Sequence, residues 1–213
     1  MATREETLLL STQAYERLSR KTYHVTVGKN NDLKSYKLRF TPHEYKHLFG
    51  LHKLGDRPDI YRAPSERVFK DILKRRTDLK KLTASDFYGD IETRVENIVD
   101  LEQYIDSFLE IYDWDKIKAR STIVGNKMIP HKSIRNNSDN IYIFFNDGGT
   151  DGTELKIGDI IIGDFIIEIP VTFIVEPEDD LTANLVRPAI VLYKEKLDKH
   201  TQDKVIILDK LSK

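Results

Sequence analysis

An α+β fold, several helices packed on a mostly antiparallel β-sheet, follows from three features of the sequence. Residues 3–21 and 90–112 carry apolar side chains at helical spacing. Residues 22–40 alternate as two strands about a turn. From 141 to 209, apolar β-type runs follow one another with no helical stretch between them, and parallel crossovers would need helices there. The chain thus reads as an N-terminal hairpin followed by helices and then a C-terminal run of strands. We divide it into an α+β domain over 1–145 and a β-rich extension over 146–213, either part of the same sheet or a separate lobe.

In order, TREETLLLSTQAYERLSRK has apolar positions at Leu8, Leu9, Tyr15 and Leu18, a short amphipathic helix. TYHVTVG and LKSYKLRF alternate about a turn at Lys29-Asn30-Asn31-Asp32. Thr41-Pro42 reads as an N-cap with proline at the first helical position, and Glu44 stands where a capping-box acid belongs. This predicts a helix from Pro42 to about Phe49, ending near Gly50. Ser65 caps a second helix, ERVFKDILKRR. Ile91, Val95, Ile98, Leu101, Ile105, Phe108 and Tyr112 predict a single long helix. IYIFF (141–145) is a strand and NDGGTDGT a loop; DIIIGDFIIEIPVTFIVEP gives one or two strands about Gly163-Asp164, and RPAIVLYKEKL and KVIIL two more.

The 213 residues suffice for a substantial core, and the absence of cysteine excludes disulfides and thiolate-bound metals. No apolar run approaches the roughly 18 residues of a membrane span, and MATREETLLL lacks the basic start of a secretory signal. We therefore expect a cytoplasmic protein without a membrane partner. The net charge of −1 conceals segregation: residues 29–81 hold 15 Lys/Arg against 7 Asp/Glu, and 116–135 hold 6 against none. Residues 86–115 and 147–184 each hold 1 against 10. The basic segments, if they share a face, suit a phosphate-bearing partner; otherwise they are solvated surface.

HEYKHLFGLHK (43–53) contains the H-E-x-x-H pattern of zinc peptidases in His43-Glu44-x-x-His47. Such motifs lie within a long helix, with a third ligand further on. Here the cap at Thr41-Pro42 puts His43 at a helix start, and His52 falls one residue before the place an extended motif requires. A zinc metallopeptidase therefore stands as an alternative only, and we assign no metal or other cofactor. NDGGTDGT lacks both the Lys-Ser/Thr of a P-loop and the spacing of an EF-hand.

LRFTPHEYKHLFGLHKL resembles the opening of phage-associated nuclease-like families grouped with barnase, EndoU, colicin and RelE toxins. The resemblance rests on Phe40, Tyr45, His47, Leu48, Gly50 and Leu51. Lys80-Lys81-Leu82, Phe87-Tyr88 and Pro130-x-x-Ser133 extend it more weakly. It implies a small α+β nuclease that cleaves or binds RNA without metal, acting as a toxin or in phage-host conflict, with a protein partner or antitoxin. Such cleavage needs a base, an acid and a cation or donor for the charged phosphoryl oxygens. His47 is the first choice for acid-base work, with Lys53 or Ser133 on the oxyanion; His52, His131 and His24 are the candidates for the second histidine. Lys70, Lys74, Arg75, Arg76, Lys81, Lys118, Lys132 and Arg135 are the candidate RNA contacts, and Tyr61 and Phe69 the candidate stacking rings. The competing class is a non-catalytic factor that binds a basic host protein through the acidic segments.

Overall fold

The computed structural model describes residues 2–114, 132–136, 141–157, 159–175 and 187–212. The chain forms two compact units, one of residues 1–19 with 41–105, the other of 20–40 with 106–213. Each consists of segments distant in sequence, and the strand covering Ile141–Asp151 runs through the boundary we expected at 146.

The first unit is helical. Helix α1 (Arg4–Ser19) starts at a capping box: Glu6 Oε2 accepts from Thr3 N at 2.8 Å, and Glu6 N donates to Thr3 Oγ1 at 3.2 Å. Leu8, Ser11, Thr12, Tyr15 and Leu18 form its buried stripe. The Tyr15 ring lies 5.7, 5.8 and 6.1 Å from those of Tyr45, Phe49 and Phe69, an aromatic cluster of mostly edge-on contacts. Two hydrogen bonds fix this cluster, Tyr15 OH to Thr41 O and the Thr12–Tyr45 hydroxyl pair, both 2.8 Å.

Helix α2 is a single turn, Tyr45–Leu48, and not the longer helix expected from Pro42. Glu44 explains the late start: its Oε2 accepts from Thr41 N at 3.0 Å and Thr41 Oγ1 at 2.6 Å, closing residues 41–44 into a turn of their own. A 3₁₀ turn follows at Leu51–Lys53, then α3 (Pro58–Tyr61), α4 (Ser65–Leu73) and α5 (Leu79–Thr83). Ser65 does not cap α4. Its Oγ accepts from Lys46 N at 2.9 Å and donates to Pro42 O at 2.8 Å, tying α4 to the start of α2.

The long helix predicted over 90–112 is two, α6 (Gly89–Asn97) and α7 (Leu101–Ser107), separated by a 3₁₀ turn at Ile98–Asp100. Ile91, Val95, Ile98, Leu101 and Ile105 are buried throughout, so the apolar period runs unbroken across the tightened turn. Residues 110–113 belong instead to a strand.

The second unit is a mixed barrel. Strands β1 (Lys21–Lys29) and β2 (Asp32–Arg39) form the expected hairpin, with Asn30 and Asn31 at φ 53° and 63° in its two-residue turn. The others are β3 (Glu110–Asp113), β4 (Lys132–Asn136), β5 (Ile141–Asp151), β6 (Leu155–Ile157), β7 (Ile160–Ile162), β8 (Phe165–Val175), β9 (Ala189–Asp198) and β10 (Lys204–Asp209). The order β1-β2-β8-β5-β4-β3-β9 closes through β1–β9 pairing, with β10 beside β9; β2–β8 is parallel and the other pairs are antiparallel. NDGGTDGT, expected as a loop, is largely strand. A register shift between Asp147 and Thr150 accommodates Gly148 and Gly149, and a Cβ on Gly148 would lie 2.8 Å from Ile169 Cδ1. Among the described residues no helix is long and apolar enough to cross a membrane.

Candidate nucleic-acid-cleaving site

The stretch 43–53 folds around a glycine. Gly50 has φ 76°, a left-handed conformation that lets the chain leave α2 and enter the 3₁₀ turn at once. It also sits against α6: a Cβ there would lie 2.7 Å from Ile91 Cγ2 and 3.5 Å from Arg94 Nη1. Tyr45, Leu48, Phe49, Leu51 and Leu54 are all fully buried, so both short turns are anchored from beneath.

This reversal brings two imidazoles together. The His47 and His52 ring centres are 4.6 Å apart, with planes 42° to one another. His52 Nδ1 is 3.4 Å from the Lys46 carbonyl; donation along that contact leaves Nε2 as the ring's acceptor. Burial, then the neighbouring His47, pushes the His52 pKa down to about 4. Burial, followed by Lys46 and His43, lowers His47 as well, although its side chain is exposed. Both shifts favour the neutral ring in the free protein.

Cations surround them. Arg94 Nη1 approaches His47 O at 3.4 Å from α6, and Arg94 and Lys53 both depress His52. Lys53 is itself lowered by burial and then by Arg94. Neither Lys53 nor Arg94 makes an ion pair among the described residues, whereas Arg57, Arg67 and Lys81 in the same unit pair with Asp59, Asp71 and Asp78. Lys46 is committed differently, its Nζ donating to the carbonyls of Tyr61 at 3.0 Å and Ala63 at 2.7 Å. Two imidazoles beside Lys53 and Arg94 can exchange protons with a bound group and hold negative charge.

Of the residues singled out from the sequence, His47, Lys53 and the second-histidine candidate His52 meet here. Arg94 did not emerge from the sequence, although it is the single basic residue among ten acids in 86–115. Lys70, Lys74, Arg75 and Arg76 are exposed at and beyond the end of α4 and make no ion pair among the described residues; Lys81 is exposed but 3.7 Å from Asp78. Pro64, Glu66, Arg67, Lys70, Lys74 and Arg76 border a depression of about 500 Å³. Phe69 is buried in the aromatic cluster and offers no stacking face, whereas Tyr61 is 52% exposed as a residue.

Ser133, Lys132 and Arg135 are in the barrel unit. Ser133 is fully buried, its Oγ accepting from Trp114 Nε1 at 2.8 Å, a setting without access to substrate. Lys132 is buried against Asp113 at 2.7 Å and over the Tyr36 ring at 4.9 Å. Arg135 lies over the Tyr142 ring at 5.3 Å. His24 Nδ1 is 2.8 Å from buried Glu195, in the same unit. Lys118 and His131 lie outside the described residues.

The zinc alternative loses its geometry. His43 precedes α2, Glu44 is spent on Thr41, and no group of three or more potential metal-ligating side chains gathers among the described residues.

The profile of a family described as phage-Barnase-EndoU-ColicinE5/D-RelE like nuclease4 (PBECR4) matches residues 7–211. The chain belongs to this family. The PBECR4 match spans both units, and so includes the strands of 146–213 for which the opening motif carried no information. No curated protein and no solved structure gives a significant match. Membership in PBECR4 makes the protein one of a nuclease family, and nucleic acid its implied substrate.

Proposed function

We propose that this protein cleaves RNA by attack of the ribose 2′-hydroxyl on the adjacent phosphorus, at the His47–His52 pair. The observation that carries this reading is the meeting of two imidazoles, 4.6 Å apart, with two cations, Lys53 and Arg94, that make no ion pair among the described residues, although Asp90 acts on Lys53. His52, the more depressed, is the base that takes the 2′-hydroxyl proton through Nε2. The 2′-oxygen then bonds to phosphorus and the P–O5′ bond breaks. His47, more exposed and next to the incoming phosphate, is protonated as that anion approaches and returns a proton to the leaving 5′-oxygen. Lys53 and Arg94 hold the charge on the non-bridging oxygens, so the chemistry as drawn requires no metal. Lys70, Lys74, Arg75, Arg76 and Lys81 contact the RNA backbone without reading sequence.

The test is cleavage of a defined oligoribonucleotide in excess chelator. The expected products end in a 2′,3′-cyclic phosphate and a 5′-hydroxyl, and a single 2′-deoxy substitution at the scissile nucleotide abolishes the cut. Cleavage that persists across the 2′-deoxy position, or that stops in chelator, refutes the reading.

A further inference from the structure

The segment that carries the imidazoles also pins an exposed aromatic side chain at each of its ends. At one end, Lys46 Nζ holds the carbonyls of Tyr61 and Ala63, fixing α3 with Tyr61 52% exposed as a residue. At the other, Asp56 accepts from Ser85 Oγ at 2.6 Å and Asp86 N at 3.1 Å, and Phe87 N donates to that same Ser85 Oγ at 3.2 Å. Phe87 is 42% exposed as a residue, and a Cβ on Gly55 would lie 3.9 Å from its Cε2. Large aromatic rings left in water on immobilised backbone are unexplained by packing, since neither fills the core.

We propose that Tyr61 and Phe87 are base-stacking platforms for the strand cleaved at the imidazole pair. This rests on the proposed RNA cleavage at that pair. A ring that stacks on a base needs the base unpaired and turned out of a helix, a condition that a single strand meets without further cost and a duplex does not. Stacking is tolerant of sequence, so the platforms set spacing along the strand and not a recognition sequence. The depression lined by Lys70, Lys74 and Arg76, together with Glu66 and Asp71, takes further phosphates of the strand.

The experiment is a binding titration of the full chain with a 2′-O-methyl oligoribonucleotide carrying 2-aminopurine, which resists 2′-hydroxyl cleavage, against a hairpin duplex of equal length. The single strand binds at least tenfold tighter and its fluorescence is quenched by stacking. Tyr61→Leu and Phe87→Leu each weaken binding by roughly tenfold and relieve the quench, while Tyr61→Phe keeps both. Leu10→Ala, which removes an equally exposed apolar side chain on α1, leaves affinity unchanged. Equal binding of duplex and single strand, or leucine variants that match the parent, overturns the platform assignment and leaves the cleavage reading standing. A parent protein that binds neither probe overturns both.

Discussion

His47→Ala and His52→Ala are each expected to lower the proposed RNA cleavage by about 10²–10⁴-fold, the usual contribution of a positioned acid or base. The fold survives both changes, because neither ring belongs to the buried core: His47 is exposed and His52 only partly covered. Circular dichroism and melting temperature therefore stay near those of the parent while turnover falls. On the proposed mechanism the double variant is expected to lose little more than either single one, since acid and base would act in one concerted step and their effects would not be additive. The pH profile carries a further signature. Both imidazoles titrate below the ordinary 6.5 in the free protein. The bell of kcat/KM, which requires one ring neutral and the other protonated, is therefore centred on the acid side of 6.5.

Gly50→Ala has the largest expected effect on stability. A left-handed backbone costs an alanine about 1–2 kcal/mol relative to glycine. The added Cβ, 2.7 Å from Ile91 Cγ2, brings overpacking of about 1–3 kcal/mol because Ile91 is itself buried. At about 2–4 °C per kcal/mol for a chain of this size, the melting temperature drops by several degrees. Relief of the clash must also move Ile91 and, with it, the α6 turn bearing Arg94. Cleavage at temperatures where the variant remains folded therefore falls too. A thermal melt paired with an activity measurement below the transition separates the two effects.

The sequence revealed the site unevenly, for physical reasons. The hairpin was readable because alternation and an Asn-Asn turn are local signals, and the C-terminal strands because β-branched runs have no competing helical reading. The one-turn extent of α2 was hidden: Thr41, Pro42 and Glu44 satisfy the rules for starting a helix, but the same Thr41–Glu44 bonds close a separate turn before it. The 3₁₀ turn at Ile98–Asp100 left no trace because the buried period continues through it. His47 and Gly50 stood out through the resemblance of their block. The partnership of His47 with His52 depends on a left-handed residue between them, and that of Arg94 on packing across some forty residues, neither of which spacing alone conveys. The burial of Ser133 was not legible because a strand's alternation does not say which face is covered.

The central claim is that His47 and His52 receive a phosphodiester together. It is tested most directly by following the histidine ring resonances during pH titration, with and without a non-cleavable 2′-O-methyl oligonucleotide. The account predicts that His47 and His52 titrate below 6.5 in the free protein, His52 the lower of the two, and that bound phosphate raises both. Saturating oligonucleotide that leaves both titration curves where they were would contradict it.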